Sequence, residues 1–202
     1  RIGLLDDASI EYDVKLKINE SIINSPFEFD RQTVLVVPTD LPDVNDPSGR
    51  FDEATAEVVR DTCSISGGGT FVLFTSHRAL RRVAELLRAD TALPWPLFVQ
   101  GEDTRARLLE RFVESGSGLL LGTASFWEGV DVPGRPLRGL IIQRLPFKVP
   151  TEPITAARIE AIERRGGSSF EEFVLPLAAL KLKQGFGRLV RSREDQGAIL
   201  IL

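Results

Sequence analysis

The chain has 202 residues, 43% of them hydrophobic, enough for one sizeable core. Its net charge is −4, so no overall field draws it toward nucleic acid, and any such binding must come from a local basic surface. One cysteine, Cys63, excludes an internal disulfide and a cysteine-based metal cluster, and with no long apolar run or signal peptide to read, a reducing, cytosolic setting away from membranes is the natural expectation.

In chain order, residues 1–30 are the least regular part. Ile18, Ile22 and Ile23 are apolar while "NSPFEFD" reads as a loop, so this stretch is expected to be a lead-in segment and 31–202 the domain proper. "TVLVV" (Thr33 to Val37) is a β-branched run that reads as a strand, followed by "DLPDVNDPSG", a loop dense in Pro, Asp, Asn and Gly. Asp52 to Thr62 has helical character, and "SGGG" leads from it into "TFVLF" (Thr70 to Phe74), a buried-strand run. Ser76 is placed to cap a helix carrying Leu80, Val83, Ala84 and Leu87 at helical spacing. "PLFVQ" is a strand, and Asp103 or Thr104 caps a helix with Leu108, Leu109, Phe112 and Val113. "GLLLGT" and "GLIIQRLPF" are strands, and "EPITAARIEAIERR" is helical up to Gly166 and Gly167. "FEEFVLPLAALKLKQGFGRLV" is helical with a break near Pro176, and "GAILIL" is a closing strand. The chain has no Met and stops inside an apolar run, which reads as a fragment.

Short apolar strands alternating with amphipathic helices predict a doubly wound α/β domain, a parallel sheet with helices on both faces. In such a sheet chemistry lies beyond the carboxyl ends of the strands, here in the loops after Phe74, Gln100, Leu121 and Gln143.

Three segments could carry chemistry. "SGGGT" (Ser66 to Thr70) has the glycines of a phosphate loop but not its pattern: they precede the strand and no lysine comes after them, so it reads as a helix-to-strand turn. "GTASFWEGVDVPG" (Gly122 to Gly134) comes directly after a strand and holds Thr123, Ser125, Glu128, Gly129 and Asp131. Hydroxyls and a glycine backbone suit phosphate or sugar, and an aspartate suits a ribose hydroxyl or a cation; by itself the segment reads equally as a loop turned at Asp131. "KQGFGRLVRS" (Lys183 to Ser192) places Gln184, Gly187, Arg188 and Arg191 at i, i+3, i+4 and i+7, one face of a continued helix, with Leu182, Phe186, Leu189 and Val190 opposite. Two always-charged planar guanidiniums beside a glycine match a polyphosphate, while a solvated basic face at a helix C-terminus is the alternative. Of the lone residues, His77 reads as part of a helix start, Cys63 as a small buried group and Trp95 as packing; Trp127 reads as packing or as a base-stacking residue.

Together these segments resemble superfamily 2 helicases. "QGFGRLVR" is similar to their motif six, "TASFWEGVD" to motif five and "VLFTSHRAL" to motif four. The wording "SFWEGVD", with "SPFEFDRQTVLVVPTDLPDVNDP" and "RLPFKVPTEP", looks like the DinG-type and XPD-type ATP-dependent DNA helicases in particular. The resemblance covers nearly the whole chain in the family's order. It implies a RecA-like, P-loop-NTPase-type fold that lacks its own P-loop, because no Walker A lysine or Walker B acidic pair is present. The chain is then the second, C-terminal motor domain, working with an N-terminal RecA-like domain that holds most of the ATP and Mg²⁺. Arg191 and Arg188 are expected to reach the ATP phosphates across the cleft, Arg191 as the preferred finger. Gln184 is expected beside the nucleotide, and Glu128, Gly129, Asp131 and Gly187 along its cleft. Thr75, Ser76, Thr123 and Ser125 are expected on the backbone of single-stranded DNA, with movement toward the 3′ end. No metal ligands are expected in this chain; the family's iron–sulfur cluster, where present, belongs to an insertion in the first domain. A cytoplasmic, nucleoid-associated protein is the implied setting. The other reading is a non-catalytic RecA-like scaffold or nucleic-acid clamp.

Overall fold

The structure of the chain, a computed structural model, describes residues 27–123, 126, 137–187, 189–190, 192 and 194–202. Most of the expected lead-in segment, residues 1–26, lies outside the described residues; its end runs into α1 (Phe29–Gln32), which crosses the expected boundary at residue 30.

Six strands form one sheet in the order β1-β6-β5-β2-β4-β3: β1 (Thr33–Val36), β2 (Thr70–Phe74), β3 (Leu97–Val99), β4 (Leu119–Thr123), β5 (Gly139–Ile142) and β6 (Gly197–Ile201). Every neighbouring pair is parallel. Alternation along each strand divides the side chains between two cores. Val72, Phe74, Leu119, Leu121 and Ile141 point to one face, where α2 (Arg50–Ser66) and α3 (His77–Ala89) cover them with Ala56, Val59, Cys63, Leu80, Val83 and Leu87. Phe71, Leu120, Leu140, Ile142 and Ile199 point to the other, against Leu108 and Phe112 of α4 (Arg105–Ser115). Leu182 and Phe186 from α6 (Leu175–Phe186), with Leu189 just beyond it, pack on that same core. The doubly wound architecture expected from the sequence is thus the one observed, with near-continuous apolar strands because both faces are covered.

Local chemistry sets the helix ends. The Ser76 side chain accepts from the Ala79 amide at the start of α3, and Thr104 accepts from Arg107 at the start of α4. Three glycines end α2: Gly67, Gly68 and Gly69 all have positive φ. The amides of Gly67 and Gly68 both bond to the Cys63 carbonyl. "SGGG" is therefore a helix-to-strand turn at the amino end of β2, as its sequence suggested. α5 (Pro153–Arg164) ends before Gly166, at φ 78°. The break expected at Pro176 is a single π-helical turn, Phe170–Val174, after which α6 continues with the proline in its first turn.

Two expectations are corrected. "GLIIQRLPF" leaves the sheet after Ile142, so Gln143 to Phe147 are not strand. The helix through "KQGFGRLVRS" stops at Phe186, capped at Gly187. Glycines at 185 and 187 weaken it, and Leu189 and Val190 turn into the interior instead, at 3% and 0% exposure. The helix face that carries Gln184 therefore does not continue past Gly187. The buried half of that reading stands: Leu182, Phe186, Leu189 and Val190 do anchor the segment.

Candidate functional site

The order of the strands selects one place at the carboxyl edge. From β2 the chain crosses toward β3 at one end of the sheet, and from β5 it crosses to β6 on the opposite side. β2 and β5 are neighbours, paired from Thr70↔Gly139 to Leu73↔Ile142. The chain thus departs in opposite directions from adjacent strand ends, and a crevice opens between them.

That crevice has a volume of about 40 Å³ and is floored by Leu73, Phe74, Ile142 and Leu182. Its polar rim comes from three distant parts of the chain: Thr75 after β2, Arg144 after β5, and Lys181 with Gln184 on α6. Thr75 and Gln184, two of the residues singled out from the sequence, therefore meet. Both are exposed. A wider groove of about 370 Å³ adjoins it, lined by Ser76, Arg78, Arg144, Asp52 and the loop from Val44 to Gly49. Arg144 borders both spaces.

Sequence reasoning missed Arg144, Lys181, Gln143 and Arg78. Arg144 stacks its guanidinium 5.6 Å above the Phe51 ring and donates to the Val44 carbonyl. Its buried Nε–H has no partner. Gln143 beside it is fully buried and donates to an Asp52 carboxylate oxygen at 2.9 Å. These two consecutive residues fasten the loop at Val44 and the first turn of α2 to the end of β5. The available signal was a polar pair directly after an all-apolar strand, at the edge where ligands bind.

The other singled-out residues divide. Ser76 is exposed, but its oxygen already caps α3. Thr123 is 7% exposed, and both its amide and its hydroxyl donate to Gln100 Oε1, at 2.6 and 3.0 Å. Gly187 is exposed, and among the described residues a Cβ built there would meet only the Lys183 and Gln184 carbonyls, at 3.6 and 3.9 Å. Nothing within the described residues requires glycine at 187. Ser125, Trp127, Glu128, Gly129, Asp131, Arg188 and Arg191 lie outside the described residues. His77 opens α3, Cys63 is fully buried with its thiol pushed up by burial, and Trp95 packs on the core, as read from the sequence.

The rim offers a hydroxyl, an amide and two cations, Arg144 and Lys181, neither in an ion pair among the described residues. Such a set holds anions. Among the described residues no group of three His, Cys, Asp or Glu could hold a metal, and no helix is long and apolar enough to cross a membrane.

Residues 59–202 match the family model described as Helicase C-terminal domain. The chain is 42% identical over 180 residues to the ATP-dependent DNA helicase YoaA of Escherichia coli, covering 89% of this chain and 28% of the relative. It is 38% identical over 183 residues to the ATP-dependent helicase DinG of Mycobacterium tuberculosis, covering 89% and 27%. The chain thus spans little more than a quarter of the length of these curated relatives. Its fold is similar to that of an XPD helicase of known structure, with TM-score 0.64 and 18% identity over 84% of this chain and 31% of that one. The chain therefore belongs to the family whose model it matches: it is a helicase C-terminal domain, similar in sequence to the DinG-type relatives and built on the RecA-like fold it shares with the XPD structure.

Proposed function

We propose that this domain is the second motor half of an ATP-dependent DNA helicase, completing an ATP site whose P-loop lies in another domain. The observation that carries this reading is the crevice between β2 and β5, where Thr75, Arg144, Lys181 and Gln184 converge. Two of these belong to the segments resembling motifs four and six. The residues fit the outer side of a nucleotide: a cation, Arg144, without a carboxylate partner among the described residues, an exposed amide, and at 187 a glycine that leaves room for close approach. ATP, with Mg²⁺, supplies the phosphoryl bond whose cleavage drives movement. Within this chain, Gln184 is assigned to the nucleotide side, and Arg191, with Arg188 as the second candidate, to neutralising charge on the phosphates. Thr75, Ser76 and Ser125 are assigned to the backbone of single-stranded DNA, with Thr123, whose hydroxyl is already bonded to Gln100, shaping the end of β4 instead of touching the DNA, and Glu128, Gly129 and Asp131 are assigned to the nucleotide. An acidic domain suits this task, since a translocating motor needs modest, sequence-blind contacts that release in each cycle.

The test is ATP hydrolysis stimulated by single-stranded DNA in the intact protein, wild type beside Arg191→Ala. Loss of an arginine finger lowers turnover on the order of a thousandfold or more, with nucleotide binding largely kept. An unchanged rate removes Arg191 from the reaction. No DNA-stimulated turnover in the wild type favours the non-catalytic clamp.

A further inference from the structure

A second groove at the same edge carries more than its neighbours. It has a volume of about 370 Å³, in the range of small-ligand sites, roughly 300–1,000 Å³. Thr75, Pro146, Phe147, Lys148, Val149 and Lys181 line it. Its wall is the irregular segment that leaves β5, in which Leu145, Phe147 and Val149 alternate with prolines and a lysine. All three apolar side chains are open to solvent, Phe147 at 40% and Val149 at 56%. This segment is nevertheless tightly shaped. The Phe147 amide bonds back to the Leu145 carbonyl at 2.8 Å around Pro146, and Glu152 bonds back to Val149 at 3.2 Å. Phe170, from the π-helical turn, supports the Phe147 ring at 6.0 Å between centroids with the planes tilted by 48°.

An exposed aromatic held at a fixed angle, flanked by cations, is the combination that stacks a base while its phosphates are neutralised alongside. Neither Lys148 nor Lys181 is in an ion pair among the described residues. Among the described residues the one carboxylate at the groove, Glu152, accepts from the Thr155 hydroxyl of its own helix at 3.3 Å. A single-stranded phosphodiester backbone carries a negative charge at every step, which suits two ammonium groups without a carboxylate partner among the described residues. Thr75 joins this groove to the crevice between β2 and β5.

We propose that Phe147 is a stacking platform for one base of single-stranded DNA, with Lys148 and Lys181 on the adjoining phosphates. The proposal rests on the DNA-binding reading above. It is tested with the intact protein, by fluorescence anisotropy on a single-stranded oligonucleotide and on an abasic oligonucleotide of equal length. Phe147→Ala and Phe147→Leu lose roughly five- to hundredfold in affinity for the normal strand and less than about twofold for the abasic one. Phe147→Tyr, which keeps a π-face, stays near wild type. Lys148→Ala with Lys181→Ala weakens both strands and flattens the salt dependence. Phe147→Leu keeps an apolar side chain in place, so it separates stacking from packing. Wild-type binding that Phe147→Leu leaves unchanged on the normal strand, or weakens equally on both strands, overturns the platform alone. A wild type that binds neither strand overturns the DNA reading and the platform with it.

Discussion

At the scale of single residues, the side chains that shape the carboxyl edge are paired to the loop after β1 and to the first turn of α2. Gln143 holds Asp52, and Arg144 holds the Val44 carbonyl and the Phe51 ring. Within that loop, Asp46 accepts from the Ser48 amide at 2.8 Å and from Arg50 Nε at 2.7 Å. Hydrogen bonds from Ser48, with Arg50 behind them, lower its pKa from the ordinary 3.8 to about 2. A carboxyl depressed on folding adds stability that is fully present above its unfolded pKa and fades as pH falls from there toward the folded value. The Asp46 carboxyl should accordingly titrate near pH 2 by NMR, and Asp46→Asn should flatten the acid side of the stability curve below about pH 4. A titration midpoint in the ordinary carboxyl range would show that the loop does not hold its shape in solution.

At the scale of elements, the turn between α2 and β2 is the most tightly specified. Gly68 has φ +81°, and a Cβ there would stand 2.0 Å from the Ser117 carbonyl oxygen and 2.5 Å from the Trp95 ring. Both obstacles belong to other segments, and a carbonyl cannot move aside like a flexible side chain. Gly68→Ala is expected to cost about 3 kcal/mol or more, from the left-handed backbone and the overlap together, read as a lower urea midpoint at unchanged m-value. Gly49→Ala is the control: its φ is similar, +82°, but nothing lies within 4 Å, so it should cost only the backbone part, about 1–2 kcal/mol. Equal effects at both sites would mean that the close packing of Gly68 on Ser117 is absent. Elements also differ in ways a local window does not show. "TVLVV" and "TFVLF" look alike as runs, yet Phe71 and Val72 are buried while Val34 and Leu35 stand 61% and 58% exposed. Among the described residues β1 sits at the edge of the sheet and pairs only with β6.

At the scale of the whole molecule, the chain has cations, an amide and a hydroxyl at a crevice, and no P-loop sequence to hold a nucleotide's phosphates by itself. The purified 202-residue chain should therefore release phosphate from ATP at the no-enzyme background, with or without single-stranded DNA. Robust turnover would sink the split-site reading. Much of the rest was legible beforehand, for definite reasons. Strand and helix periods, the caps at Ser76 and Thr104, and the glycine turn at 67–69 are written within a few neighbouring residues, where steric and hydrogen-bonding preferences act. The ordered motifs that mark a helicase C-terminal domain are likewise local words in a row. The sequence by itself thus determined the order and type of the elements, the buried stripes of α3 and α4, and the family. It did not determine where α6 stops, because Leu189 and Val190 answer to a core built by distant strands. Nor could it assemble Thr75, Arg144, Lys181 and Gln184 into one rim. That took the tertiary structure, because the order of strands is settled by covering both faces of the whole sheet and by which way each crossover turns, and no short stretch of residues carries either.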